Sequence, residues 1–297
     1  MCDDNEPSTL FVSVPRVKKL EGKYGNGEVR METGSARPPE RLYRYYSPSG
    51  IETALFNNTL RWLLPCEEND PFEALAKCWD KEAVKKKARG LRPEDWLFLE
   101  GVFDPKRAQK KASHVAAFVS FSASEKSVLM WAHYAMNYTG ACLEFDTHRL
   151  QKINCLKRVS YVDPKDERPE YPLLYGNLKE EEEYQKRVEE FLCRKSKDWS
   201  YEREWRLIYP QMVKYIGCEK DGEKFLLVSG IPNGAITKLI FGCNVPVSTR
   251  LAWAKRVLMN HPDCKFGEIV PSRKNYELEV EDIPMEAIEK PSCQVST

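Results

Sequence analysis

The densest chemistry in the chain lies in one run, Tyr201-Glu202-Arg203-Glu204-Trp205-Arg206-Leu207-Ile208-Tyr209. As a strand it alternates with a period of two, so Tyr201, Arg203, Trp205, Leu207 and Tyr209 share one face. Glu202, Glu204, Arg206 and Ile208 share the other, with successive members about 7 Å apart. Two carboxylates that close raise one another's pKa, and a flanking guanidinium lowers it again. Such a row can hold a carboxylate beside a developing positive charge, or it can be an ion-pair ladder on the solvent face of an edge strand.

A second candidate is Val119-Ser120-Phe121-Ser122-Ala123-Ser124-Glu125-Lys126-Ser127. Ser120 and Ser122 share a strand face, where a small hydroxyl leaves room for a ligand to lie flat. Ser124, and also Ser127, suit the N-cap of a following helix. Third is Leu42-Tyr43-Arg44-Tyr45-Tyr46. An arginine inside an aromatic strand is costly to bury unless an anion meets it, and otherwise it snorkels to solvent. His133, in Trp131-Ala132-His133-Tyr134-Ala135, is either an acid/base group or a packed, hydrogen-bonded side chain. Asn69-Asp70-Pro71-Phe72-Glu73 reads as a turn and helix cap.

These segments need a scaffold. Apolar and β-branched alternation predicts strands at 41–46, 60–64, 115–122, 140–145, 158–162, 201–209, 224–228 and 236–241. Helical spacing predicts helices at 51–58, 74–116, 126–134, 178–197 and 247–258, the last opened by Ser248-Thr249. Strands and helices in mixed order imply an α+β fold: mixed, mainly antiparallel sheets forming a split core with helical inserts. The expected organisation is a weakly structured N-terminal extension over 1–39, a single α+β domain over 40–280, and a polar C-terminal tail over 281–297.

Composition narrows the function classes. The 297 residues are 42% hydrophobic and 31% charged, with 46 Lys+Arg against 45 Asp+Glu and a net charge of +1. That is ordinary globular composition, without the basic surplus of a protein that wraps nucleic acid. Basic runs at Lys85-Lys86-Lys87-Ala88-Arg89 and Lys106-Arg107-Ala108-Gln109-Lys110-Lys111 read as solvated helix faces. A nuclease would want clustered acids for metal ions, whereas Asp163, Asp166 and Glu167 fall in a proline-flanked loop. No apolar run approaches the roughly 18 residues of a membrane span, and the acidic start is no secretory signal, so a cytoplasmic protein is expected. The ten cysteines are scattered with no Cys-x-x-Cys pair, which points to reduced thiols used as small core residues, and no metal centre is expected.

Several motifs in one order carry a resemblance. Leu42-Tyr43-Arg44-Tyr45, Asn69-Asp70-Pro71-Phe72-Glu73, Ser120-Phe121-Ser122, Met130-Trp131-Ala132-His133-Tyr134-Ala135 with Gly140, and Trp199 to Arg206 resemble the bacterial domain of unknown function 2971, from about residue 42 to about 243. That family name carries no activity. The order arginine strand, Ser-x-Ser strand, Glu-x-Glu strand is also similar to arginine-type ADP-ribosyltransferases. This second resemblance implies NAD as substrate. Arg44 would hold its pyrophosphate, Ser120 or Ser122 would line the nicotinamide ribose, and Glu204 would bond the ribose 2′-hydroxyl beside the accessory carboxylate Glu202. Tyr46 or Trp131 would stack on the nicotinamide ring. The sequence departs from that superfamily at Phe121, where threonine is usual, and in long charged inserts at 74–112 and 165–197 that must leave the sheet at loops.

The implied chemistry is transfer of ADP-ribose from NAD, or NAD cleavage, to an acceptor the sequence does not specify. The nicotinamide–ribose bond breaks through an oxocarbenium-like centre, which a fixed carboxylate stabilises. A toxin or phage-defence role goes with such chemistry in bacteria. On this reading Glu204→Gln is expected to keep the fold and abolish NAD turnover. The rival expectation is a non-catalytic binding or regulatory domain whose Glu202-Glu204-Arg206 row is a surface ladder.

Overall fold

The structure is a computed structural model and describes residues 37–77, 117–153, 156–169, 187, 189–209 and 227–289. The expected extension up to residue 36, both basic runs, the expected helix beyond residue 77, most of the helix expected over 178–197 and the end of the tail lie outside the described residues.

The first strand, β1 (Arg41–Tyr46), leads into α1 (Pro48–Asn57). Ser47 caps α1 by accepting from the Gly50 amide, Pro48 takes the first turn where no amide is needed, and Asn58 ends it in the left-handed conformation. Next come β2 (Thr59–Trp62), a 3-10 turn at Pro65–Glu67, and β3 (Ala117–Ser122). Ser127, rather than Ser124, caps α2 (Val128–His133), accepting from the Met130 amide. Ser124 instead accepts from the Lys126 amide two residues on.

Strand β4 (Ala141–Asp146) and the single turn α3 (Thr147–Leu150) follow. The strand expected over 158–162 is two strands, β5 (Leu156–Arg158) and β6 (Ser160–Val162), which belong to different sheets. Helical residues 189–192 end at β7 (Arg194–Ser196), so the helix expected to reach Lys197 stops short. A 3-10 helix at Lys197–Glu202 then precedes β8 (Glu204–Tyr209), and β9 (Leu227–Gly230) and β10 (Ile236–Phe241) follow. Helix α4 (Val247–Leu258) is opened by Pro246 without a side-chain cap. The chain continues through β11 (Lys265–Pro271), β12 (Leu278–Asp282) and α5 (Met285–Glu289). Ordered structure therefore runs past residue 280 into the segment expected to be a polar tail, because Ile288 is buried in the core.

The architecture is α+β. One sheet of eight strands has the order β12-β11-β10-β4-β1-β3-β8-β5, and two small sheets pair β2 with β9 and β6 with β7. Pairing is antiparallel except for β10 with β11 and β6 with β7. The parallel pair β10–β11 needs a crossover, which α4 supplies. One core cluster gathers Leu42, Val119, Phe121, Leu143, Phe145 and Leu207 with Ile51 and Leu55 of α1 and Trp253 and Val257 of α4. A second gathers Tyr45, Cys142 and Ile240 with Met130 and Trp131 of α2. Alternation explains this division: Leu42 and Tyr45 have opposite parity in β1, as do Leu143 and Cys142 in β4.

The turn from α2 to β4 places Met136, Asn137 and Tyr138 at φ of 50°, 53° and 65°, a costly run of left-handed residues. It is held by the Asn244 amide on the Tyr138 carbonyl, by Asn244 Nδ2 on the Asn137 carbonyl, and by Tyr138 stacked on Trp131 at 6.0 Å. Gly140 follows because a Cβ there would lie 2.0 Å from the Tyr46 carbonyl oxygen.

Candidate active site

Strands β1 and β3 are neighbours in the large sheet, yet one register pair, Tyr43 with Ser122, joins them among the described residues. Beyond it the strands part. Arg44 reaches across the gap, its Nη1 donating to the Ser120 carbonyl at 2.8 Å, with its guanidinium 5.5 Å from the Tyr46 ring. A cavity of about 100 Å³ opens at this parting. Arg44, Ser120, Ser122, Glu202 and Glu204 all line it, with Tyr43, Tyr45, Glu68, Tyr134 and Lys195. Five of the residues selected from sequence, far apart along the chain, thus meet at one hollow.

The carboxylate row is not a solvent ladder. Strand β8 lies between β3 and β5 rather than at an edge, and Glu202, Glu204 and Arg206 are all buried. The row also does not form by strand alternation throughout. Glu202 ends the 3-10 helix, Arg203 turns left-handed at φ 47°, and only Glu204 and Arg206 share a strand face. That turn brings Glu202 inward beside Glu204.

Arg206 commits all five of its N–H groups. Nε and Nη2 donate to Glu204 at 2.7 and 3.1 Å, Nη1 and Nη2 donate to the two oxygens of Glu73 at 2.7 Å each, and Nη1 also donates to the Leu192 carbonyl. Its flat face lies over Phe118 at 4.1 Å. Lys195 Nζ bonds Glu202 at 2.8 Å and Glu204 at 2.9 Å. Tyr134 donates to the other Glu202 oxygen at 2.5 Å and accepts from Asn69, while Tyr161 accepts from the Glu204 amide. Three buried carboxylates (Glu73, Glu202 and Glu204) face two buried cations, so the cluster carries one net negative charge.

The two carboxylates of the row are driven apart. Burial works to raise the pKa of Glu204, but Arg206 and then Lys195 outweigh it and hold that carboxyl well below the usual range. Burial raises Glu202, opposed by Lys195 and reinforced by Glu204. Glu68 is pushed up to about 7, first by burial and then by the charge of Glu204. The Ser120 hydroxyl adds a smaller lowering at Glu204 and otherwise has no hydrogen-bond partner. Ser122 is committed, its Oγ accepting from the Ser124 amide at 3.1 Å.

Two expected stacking residues do not line the cavity. Trp131 is fully buried in the second core cluster, where its Nε1 donates to the Glu125 carbonyl and its ring meets Tyr45 edge-on. Tyr46 packs against the first cluster, under Arg44. The rings at the cavity are Tyr43, Tyr45, Phe121 and Tyr134. Glu73 and Lys195 were not legible as site residues. The first sits in a segment that reads as a turn and helix cap, of which the structure shows the turn (the Phe72 amide bonds Asp70 Oδ1) but no helix over 75–77, while the second sits in a uniformly charged stretch. His133 is exposed beside Tyr201, away from the cavity lining.

A larger groove of about 730 Å³ adjoins, lined by Phe72, Asp163, Arg168, Trp199 and Tyr201 among others and sharing Lys195 with the small cavity. Among the described residues no group of three or more His, Cys, Asp or Glu is placed to hold a metal ion, and no helix is long and apolar enough to cross a membrane. Of the described cysteines, Cys142, Cys193 and Cys264 are buried and Cys66 and Cys243 exposed. Burial pushes the Cys193 and Cys264 thiols up to about 12, which suits packing rather than reaction.

No curated protein and no solved structure matches the chain. Residues 130–207, which hold the end of α2 from Met130, Lys195, Glu202, Glu204 and Arg206 but neither Arg44 nor Ser120, match the model of a family described as protein of unknown function (DUF2971).

Proposed function

We propose that this chain cleaves the nicotinamide–ribose bond of NAD and passes ADP-ribose to an acceptor, with an ADP-ribosyltransferase-like site at the parting of β1 and β3. The observation that supports the reading is the meeting of Arg44, Ser120, Glu202 and Glu204 at one cavity. A pocket for a whole ligand typically spans about 300–1,000 Å³. The small cavity therefore takes the reacting end as far as the diphosphate at Arg44, and the adenosine part of the dinucleotide lies in the adjoining groove beyond Lys195.

The chemistry follows from the electrostatics. As the bond breaks, positive charge develops on the ribose, and a buried cluster with one net negative charge favours it in a site that needs no reorganisation. Lys195 and Arg206 keep Glu204 ionised and fixed. The Ser120 hydroxyl, lacking another partner, is available to the ribose. Arg44 supplies a guanidinium for the diphosphate. A cytoplasmic toxin or phage-defence effector is the role that goes with this chemistry.

A second reading has its own support. Every donor of Arg206 is used internally, as expected of a structural polar core in a non-catalytic binding domain. Incubation of the purified protein with NAD, with released nicotinamide resolved by chromatography, separates the two. Release that disappears in Ser120→Ala and Arg44→Met, both still folded, upholds the enzyme. No release by the wild type overturns it.

A further inference from the structure

Three carboxyl groups line the small cavity, and two of them are fully engaged. Glu202 has one oxygen on Tyr134 and the other on Lys195. Glu204 has both oxygens on Arg206 and one also on Lys195. Glu68 differs: its Oε1 is shut off from solvent and has no hydrogen-bond partner among the described residues. The residue follows the 3-10 turn Pro65–Glu67, whose cap sets its backbone against Pro65 and leaves the side chain at the cavity wall.

A group that takes a proton from an incoming acceptor must offer a lone pair to it and must gain and lose the proton near working pH. Glu204 fails on both counts, since two cations hold it ionised. Glu202 has its lone pairs occupied by a hydroxyl and an ammonium. From this we infer that Glu68 is the proton acceptor of the site, taking the proton of the water, hydroxyl or amine that attacks the ribose. The assignment rests on the glycosyl-transfer reading above. The nicotinamide–C1′ bond breaks with its electron pair going to nicotinamide, the acceptor's lone pair forms the new bond to C1′, and the acceptor's proton passes to the Glu68 carboxylate and then to solvent. No oxidant or reductant is needed.

The surroundings of Glu68 suit the task. Glu204 and Glu73 disfavour its charge, Lys195 and Arg206 favour it, and burial outweighs both, leaving it poised at about 7. Arg44, Glu202 and the phenols of Tyr43, Tyr45 and Tyr134 complete the cavity wall.

The test is the pH dependence of nicotinamide release by the wild type and by Glu68→Gln from pH 5 to 9, with binding of a non-cleavable NAD analogue and thermal melting followed in parallel. The wild-type rate is expected to rise through about pH 7 to a plateau, as one group loses a proton. In Glu68→Gln the plateau rate is expected to fall roughly 10²- to 10⁴-fold with that limb lost, while analogue affinity holds and the variant melts no lower than the wild type. Turnover by Glu68→Gln at the wild-type rate with the same limb overturns the assignment and leaves the enzyme reading standing. A wild-type profile flat between pH 6 and 8 overturns it without recourse to any variant. Absence of NAD cleavage by the wild type at every pH overturns the enzyme reading and the assignment together.

Discussion

Arg206 grips Glu73 through two parallel bonds of 2.7 Å, although 133 residues separate them in the chain and neither side chain is exposed at all. This pair ties the turn after β2 to the middle of β8. Removing one partner of a buried pair strands the other charge, which costs about 3–5 kcal/mol. Glu73→Ala is expected to lose that much unfolding free energy in urea titration. A loss under about 1 kcal/mol would show that solvent reaches Arg206 in the folded state.

Glu204→Gln is expected to abolish turnover and also to destabilise. The sequence suggested an intact fold, but both oxygens of buried Glu204 accept from Arg206 and one also from Lys195, and the glutamine amide would turn a donor NH2 toward one of those cations. Ser120→Ala is the cleaner probe, because its hydroxyl has little to lose in the free protein. We expect its melting temperature to stay near the wild-type value while nicotinamide release collapses. Thermal melts alongside rate measurements on both variants check the contrast.

Buried His261 and half-buried Glu68 give the stability opposite dependences on pH. His261 accepts from the Ile236 amide and faces Asn58 at 3.0 Å, and burial, then the charge of Arg149, lowers its pKa from 6.5 to about 4. Its contribution is full above 6.5 and is lost as pH falls from there to about 4. Glu68, raised from 4.5 to about 7, contributes stability that is full below 4.5 and lost as pH rises to 7. Relative to wild type, His261→Gln should therefore grow progressively weaker from pH 4 to 6.5, and Glu68→Gln progressively stronger from pH 4.5 to 7. Urea titrations at half-unit steps read both differences; a pH-independent gap in either variant refutes the corresponding shift.

Gly140→Ala is expected to destabilise by more than the roughly 1–3 kcal/mol usual for overpacking. The clash is with main chain, the Tyr46 carbonyl at 2.0 Å, so no side chain can swing away. It would pry the end of β1 from the start of β4, where Tyr46 pairs with Ala141. Loss of cooperative unfolding in a thermal melt is the expected sign.

Local rules served where local forces dominate. Strands β1, β3 and β10 and helix α4 follow from alternation and helical spacing, and α4 was located to the residue. The alternation of Leu278-Glu279-Val280-Glu281 is equally legible and forms β12, which reaches into the segment expected from 281 on to be a tail. The row at 201–209 misled in one respect. Its pattern is that of a strand, yet the left-handed turn at Arg203 confines the strand to Glu204 onward. Charge was the least legible property. Glu202, Glu204 and Arg206 suit a solvent face by composition, and nothing near them announces that Glu73 and Lys195 will arrive to neutralise them.

Residue type and backbone alternation, which are local properties, were enough to single out Arg44, Ser120, Glu202 and Glu204 one by one, and only the resemblance drawn from their order grouped them. Tertiary structure alone decided that β1 and β3 part after one pair, that the row is buried, and that Glu68, Glu73 and Lys195 join it. The physical reason is that a buried charge is tolerable only beside its partners, and those partners come from parts of the chain that only folding brings within 3 Å.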